Sequence, residues 1–178
     1  MFRRRSVFLV VLLMFSSFVF AAKRKTKAVY CVKTAADGSW KLQQFQPLIN
    51  PQAGTVFTEL SFAGSMLEAA RLRRFYLDRE LAFDYKFDST GRLTKLVGSV
   101  EMWGQWMGEA DLTPGADGKI RSGDVNYFRA SSRNLINRPE DAEAYTAELS
   151  SAPIYRTIES LPCGGSLQEA EKMNATQE

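Results

Sequence analysis

The sequence predicts an α+β chain that is mainly β: a curved antiparallel sheet or partial barrel of about eight strands with one or two short helices. Short segments in which apolar and polar residues alternate recur along the chain. Hairpin-like turn signals join these segments, which favours antiparallel pairing. Gly98, Gly104 and Gly108 lie in or between the predicted strands, where glycine often marks a bend. A two-sheet β-sandwich is the alternative architecture.

The N-terminal half of the domain begins with three predicted strands, at residues 28–34, 40–46 and 55–62. Apolar and polar types alternate most clearly in the third of them. Residues 37–38 form a turn signal between the first two strands, and a loop that contains two prolines and a glycine occupies 47–54.

Residues 65–88 allow two interpretations. Good helix formers at 65–72 favour a short helix, and the apolar side chains at odd positions over 75–88 then favour a long strand. A single helix over 65–80 is the alternative, although arginines intrude on its best apolar face.

The next segment is predicted to be β until residue 129. Asp at position 88 and Gly at position 91 predict a tight turn. Strands follow at 92–103, 105–112 and 119–129, the last of which is interrupted by a Ser-Gly pair.

The C-terminal segment contains the second predicted helix. It begins at Pro139, which suits a first helical position, and its apolar stripe consists of Ala142, Tyr145 and Leu149. A last strand is predicted at 154–160. The folded domain therefore spans 28–163, and residues 164–178 are predicted to be a polar, disordered tail.

The first 21 residues have the three parts of a secretory signal peptide. Arginines occupy positions 3–5, an apolar run covers 7–20, and alanines follow at 21 and 22. We therefore predict cleavage after Ala21 and a periplasmic or extracellular location. The alternative is an uncleaved membrane anchor, although the apolar run is shorter than the roughly 20 residues that span a bilayer.

The basic character of the whole chain comes from its N-terminus. The chain has 23 Lys and Arg against 20 Asp and Glu. Without residues 1–21 the balance is 20 against 20, and without the predicted disordered leader at 22–27 it is 16 against 20. The domain itself therefore lacks the basic footprint of a nucleic-acid-binding protein. Membrane contact is predicted only through a signal segment that stays uncleaved.

The basic run at 71–74 and the tryptophans have ordinary structural interpretations. Glu68, Asp78 and Glu80 neutralise the basic run, which predicts a solvated, salt-bridged surface. Core positions are favoured for each of the three tryptophans, at positions 40, 103 and 106.

The chain has two cysteines, Cys31 and Cys163, near the two ends of the predicted domain. An even cysteine count in an exported chain favours a disulfide, and domain termini are often close in space. We therefore predict a Cys31–Cys163 bond; two separate buried thiols are the alternative.

Most catalytic chemistries are absent from the sequence. The chain has no histidine, which removes every His-dependent triad, metal site and proton shuttle. Phosphate-binding and dinucleotide-binding glycine motifs are also missing. Asp111, Asp117 and Asp124 lack the spacing of an EF-hand loop, so we interpret them as turn residues. We predict no metal and no cofactor, and carboxylates, tyrosines or a Ser–Lys pair remain as catalytic options.

One candidate ligand patch follows from pairing the predicted strands at 75–88 and 92–103. A two-residue loop between them places Asp78 opposite Glu101 and Tyr76 opposite Trp103, whereas a bulge at Gly91 slips the pairing by one residue. Face matching favours the first register. Acids beside aromatic rings suit a polar or sugar-like ligand, so Tyr76, Asp78, Glu101 and Trp103 are the candidate ligand-binding residues. An ordinary solvated sheet face explains the same residues without a ligand.

These observations predict an exported, non-catalytic binding or structural domain of unknown ligand and partner. A carboxylate-dependent hydrolase and a carrier with a small apolar cavity inside the curved sheet are the alternatives. Facing acids in an open cleft would favour the hydrolase, and a buried apolar cavity would favour the carrier.

Overall fold

The computed structural model describes residues 27–33, 38–44 and 55–175. In this part of the chain ten strands form one sheet, and two α-helices and three 3₁₀ segments follow them. The strands are β1 (Lys27–Lys33), β2 (Trp40–Gln43), β3 (Val56–Ala63), β4 (Met66–Phe75), β5 (Arg79–Phe87), β6 (Leu93–Met102), β7 (Trp106–Pro114), β8 (Ile120–Ser122), β9 (Asn126–Arg129) and β10 (Leu135–Ile136). The helical segments are α1 (Ala142–Thr146), α2 (Leu167–Ala175) and the 3₁₀ segments Ala147–Ser151, Ile158–Ser160 and Gly164–Ser166.

The predicted signal peptide, nearly all of the predicted leader and the loop at 47–54 lie outside the described residues. A search of the described helices finds none with the length and apolarity needed to cross a membrane.

The sheet confirms the predicted fold class. Its strand order is β10-β9-β7-β6-β5-β4-β3-β1-β2, with β8 paired to β7 beside this path, and every adjacent pair is antiparallel. The sheet is curved and open rather than closed into a barrel. Hairpin connections of two to six residues explain the order, because short connections force neighbouring strands to run antiparallel.

Residues 65–88 confirm one part of the first interpretation and correct the other: the strand predicted at 75–88 is present as β5, but a second strand, β4, replaces the predicted helix. The chain turns between β4 and β5, where the Tyr76 amide donates to the Arg79 carbonyl at 2.9 Å. β4 then pairs with β3 on one side and β5 on the other. The Leu, Glu, Ala and Arg residues of β4 are good helix formers, but sheet pairing on both edges and the burial of Leu67, Ala70 and Leu72 outweigh that preference.

One face of the sheet, which we call the packed face, carries the core. Side chains at alternate positions point to the same face of a strand, and the C-terminal segment covers the face that holds Leu60, Leu72, Phe83 and Val100. The Tyr85 hydroxyl donates to the Pro153 carbonyl at 2.8 Å, which ties this segment to β5. Buried apolar side chains from the segment itself complete the core: Ala142, Leu149, Ala152, Ile158, Leu161 and Ala170.

The C-terminal segment departs from two sequence predictions. Residues 154–160 do not form a strand: a single bridge joins Arg92 to Thr157, and the chain then enters a 3₁₀ segment that Thr157 and Ser160 cap reciprocally. Residues 164–175, predicted as a disordered tail, form a 3₁₀ segment and α2, where Ala170 is fully buried. The polar composition of this helix gives little indication that Ala170 packs against the core.

The predicted Cys31–Cys163 disulfide is confirmed, with a Cα–Cα distance of 6.1 Å. It joins β1 to the turn before α2, so the two ends of the described chain are linked across the packed face. Cys163 has a φ of 59°, and a Cβ on Gly164 would lie 2.4 Å from the Glu159 carbonyl oxygen. Glycine is required at position 164 because the backbone folds back on itself there.

The hairpin between β5 and β6 follows neither predicted register. The turn at 88–91 has Gly91 at a φ of 77° and pairs Phe87 with Leu93, which is the bulged alternative. A second shift beside Thr94 then pairs Tyr85 with Leu96. Two one-residue shifts restore the alternation, so both strands keep their apolar side chains on the packed face.

Candidate functional site

The structure keeps three residues of the predicted ligand patch in adjoining turns and leaves Glu101 apart from them, within β6. Tyr76 and Asp78 lie in the turn between β4 and β5, and Trp103 lies in the turn after β6. Glu101 pairs with Glu80 instead of Asp78, so the predicted pairings of Asp78 with Glu101 and of Tyr76 with Trp103 are wrong. The cause is the pair of one-residue shifts, at the 88–91 turn and beside Thr94, which together move β6 two residues along β5 relative to the preferred register.

Arg79 holds Tyr76 and Asp78, two residues of the β4–β5 turn, in place. Its guanidinium donates to Asp78 at 2.8 Å and to Glu148 at 2.8 Å, and it lies 4.1 Å from the centre of the Tyr76 ring. The Trp103 amide donates to the Asp78 carbonyl at 3.2 Å. Trp103 as a whole is 37% exposed. These contacts join two sheet turns, and the Asp78 carboxylate is committed to Arg79.

The sheet face opposite the packed face carries most of the charged side chains of the central strands, and we call it the charged face. The strand registers arrange its side chains in three rows across the sheet. The rows are Glu59–Arg71–Asp84, Phe57–Arg73–Ala82–Ser99–Glu109 and Phe75–Glu80–Glu101–Met107.

A largely buried ion pair lies at the centre of the charged face. The Arg73 Nε and Nη2 atoms donate to the two Glu80 carboxylate oxygens at 2.7 and 2.6 Å. The Arg73 side chain is 21% exposed and that of Glu80 10%. The hydrogen bond to Glu80 raises the pKa of Arg73. This two-pronged geometry is the strong form of an arginine–carboxylate contact, and it fixes the orientation of both side chains.

Two aromatic rings form the apolar wall of this ion pair. Phe57 and Phe75 stack with ring centres 5.7 Å apart, and both are buried. The Arg73 guanidinium lies 4.9 Å from the centre of the Phe75 ring and 5.5 Å from that of Phe57. Cation–π contact therefore offsets part of the hydration that Arg73 loses.

Arg71 links this ion pair to the next row. Its guanidinium nitrogens lie 4.0 Å from a Glu80 oxygen and 3.7 Å from an Asp84 oxygen. Burial raises the pKa of Asp84, and the nearby Arg71 opposes that rise. Burial, with a contribution from Glu59, likewise raises the pKa of Tyr30, which pairs with Glu59 on the neighbouring strand.

Three carboxylates of the charged face have no ion pair within the described residues: Glu59, Glu101 and Glu109. All three are half-buried, and Glu101 lies directly opposite Glu80. Arg71 and Arg73, the two arginines of this face, are already held by Glu80 and Asp84. The centre of the charged face therefore has an excess of negative charge.

The sequence predicted salt bridges for the basic run at 71–74, and the structure has them for Arg71 and Arg73. Their surroundings differ from the prediction, because Glu80 is buried and Arg73 is half-buried rather than solvated. The alternation of Arg71, Arg73 and Phe75 was the available signal, but it indicates one face only once this segment is taken as a strand.

The chemistry of the described residues does not provide a metal centre: no group of three or more His, Cys, Asp or Glu side chains is arranged to hold an ion. No protein-family model, curated protein or solved structure matches the chain. The candidate site therefore stands on its own geometry.

Proposed function

We propose that this protein is an exported, non-catalytic binding domain whose charged face holds a ligand that carries a cationic group. The observation that carries the proposal is the set of three half-buried carboxylates, Glu59, Glu101 and Glu109, that form no ion pair in the described part of the chain. A ligand ammonium or guanidinium group would supply the missing positive charge. The fixed arginines and aromatic rings beside these acids provide a rigid frame for such a group.

The ionic arrangement at the centre of the charged face costs stability, which supports a binding role. Burying an ion pair loses hydration that the mutual attraction often fails to recover, so apolar side chains at Arg73 and Glu80 would hold a sheet at least as well. The like-charged Glu80–Glu101 pairing adds a further unfavourable contribution. Features that reduce stability in this way are typical of functional surfaces.

Export is supported by the signal-peptide pattern at 1–21 and by a disulfide that suits an oxidising compartment. We expect the intact mass of protein recovered from the exported fraction to match residues 22–178. Recovery of a membrane-bound protein that retains residues 1–21 would contradict this expectation and indicate an anchored domain instead.

The ligand proposal is tested by titrating the folded protein with spermidine and following backbone amide signals by NMR. We expect shifts at the amides around Glu101 and Glu109, and an affinity about tenfold lower in a Glu101→Gln/Glu109→Gln variant. The matched control is Glu140→Gln/Glu143→Gln, which removes the same charge from exposed positions near α1. Equal losses in both variants would mean that spermidine responds only to net charge and would contradict the proposal.

A carboxylate-dependent hydrolase is the second candidate, favoured by the raised pKa of the buried Asp84 carboxyl. The neighbouring Glu80 carboxylate is held by the two-pronged bond to Arg73, so Asp84 is the candidate acid of this face. Mass spectrometry of the ligand after incubation separates the candidates, because a binding domain returns it unchanged. The apolar carrier has less support, since Leu149, Ile158 and Leu161 fill the packed face.

A further inference from the structure

The strands β6 and β7 separate at one end of the sheet. They pair from Met102 and Trp106 as far as Val97 and Asp111. Beyond this point β7 pairs with β8, while the first residues of β6 turn towards the C-terminal segment, where the Leu93 amide donates to the Arg156 carbonyl at 2.9 Å. The divergence leaves a slot of about 390 Å³ between the two strands.

The walls of the slot combine apolar and cationic groups. Leu93, Leu96, Leu112 and Pro114 line it, and the strand pairing, with the bulge beside Thr94, places these side chains on the packed face. Leu96 and Leu112 are buried. The apolar part therefore forms the inner end of the slot, and the side chains of opposite parity lie at its outer mouth.

Two cationic side chains line the slot, and they differ in whether a carboxylate already pairs with them. Lys95 is 2.9 Å from the Asp111 carboxylate, so its charge is already neutralised. Arg156 donates from Nη2 to the Gly115 carbonyl at 3.0 Å and has no carboxylate partner among the described residues. A guanidinium has five N–H donors, so most of those of Arg156 remain for a ligand.

We propose that this slot binds a small amphipathic carboxylate, with its carboxylate on the Arg156 guanidinium and its hydrocarbon chain against Leu93, Leu96 and Leu112. The volume lies within the range of about 300–1,000 Å³ that small-molecule sites occupy. A guanidinium matches a carboxylate in a planar, two-pronged geometry. The slot lies beyond the last paired residues of β6 and β7, away from the Glu80–Glu101 pair, and takes a ligand of the opposite charge, so it does not depend on the function proposed above.

The test is an NMR titration of the wild-type protein with sodium hexanoate and, separately, with hexan-1-ol. We expect hexanoate to shift the amides of residues 93–96 and 112–115, and to bind about tenfold more tightly than the alcohol, because only the acid can pair with Arg156. This comparison needs no variant and is unaffected by any loss of folding. Equal affinities for the two compounds, or hexanoate shifts confined to other residues, would overturn the proposal.

Variants then assign the head-group contact. Arg156→Gln should weaken hexanoate binding about tenfold and leave hexan-1-ol binding unchanged. The control Arg138→Gln removes an exposed arginine that pairs with Glu143, and hexanoate binding should not change. The spermidine titration of the charged face should be unaltered by Arg156→Gln, so failure of either site is recognised independently. Equal weakening by both arginine variants would reduce the effect to net charge and refute the slot.

Discussion

Removal of the Cys31–Cys163 disulfide is expected to lower the free energy of unfolding by about 4 kcal/mol. The bond closes a loop between residues separated by 132 positions, so its loss gives the unfolded chain much more freedom. It also ties β1 to the segment that covers the packed face. Urea unfolding of the Cys31→Ser/Cys163→Ser variant against the oxidised wild type measures the difference.

Reduction of the wild type provides the control for the serine side chains. The reduced wild type and the double variant should unfold at similar urea concentrations, and only the wild type should respond to a reducing agent. Unreduced, unfolded protein should show no titratable thiol. Two thiols per chain, or equal stability of the oxidised and reduced wild type, would contradict the expectation.

The sequence was sufficient to predict the fold class because the signals for it are local. Alternation and turn residues act within a few positions, and the turn at 88–91 shows how strongly they do so. The Asp88 carboxylate accepts from the amides of Thr90 and Arg92, and Gly91 adopts the positive φ that the turn requires. The burial of Ala142 and Leu149 likewise follows from the apolar stripe predicted for the second helix.

Positions that depend on distant partners were not predictable in the same way. The shift beside Thr94 has no turn signal; it is set by matching the apolar faces of β5 and β6 over their whole length. The composition of β4 favours a helix, but its pairing with two neighbouring strands makes this segment a strand. The polar sequence of α2 contains only one fully buried residue, Ala170, to indicate docking.

The candidate site inherits these errors of register. The idea that two acids meet across β5 and β6 beside an aromatic ring is realised, but by Glu80, Glu101 and Phe75. The predicted Asp78 instead bonds to the adjacent Arg79. A displacement of two residues preserves the face on which a side chain lies and changes its partner, so the chemistry was easier to predict than the residues.

Replacement of Glu80 by Gln is expected to lower the free energy of unfolding by about 2 kcal/mol, because it removes the carboxylate that holds the half-buried Arg73 guanidinium. Chemical denaturation of the variant and the wild type measures the loss. The matched control is Glu143→Gln, which breaks an ion pair with Arg138. The Arg138 side chain is 53% exposed and the Glu143 side chain is 84% exposed. Exposed pairs contribute at most about 1 kcal/mol, so a control loss as large as that of Glu80→Gln would show that burial is not the cause.

A second variant separates stability from function at the same pair. Arg73→Met/Glu80→Leu removes both charges and keeps side chains of similar length between Phe57 and Phe75, so we expect its stability to lie within about 1 kcal/mol of the wild type or above it. The frame beside Glu101 and Glu109 would then be apolar, and spermidine should bind more weakly although the fold is intact. A double variant that is as unstable as Glu80→Gln would mean that the ion pair itself holds the sheet together. One that binds spermidine as the wild type does would show that the ligand depends on the unpaired carboxylates alone.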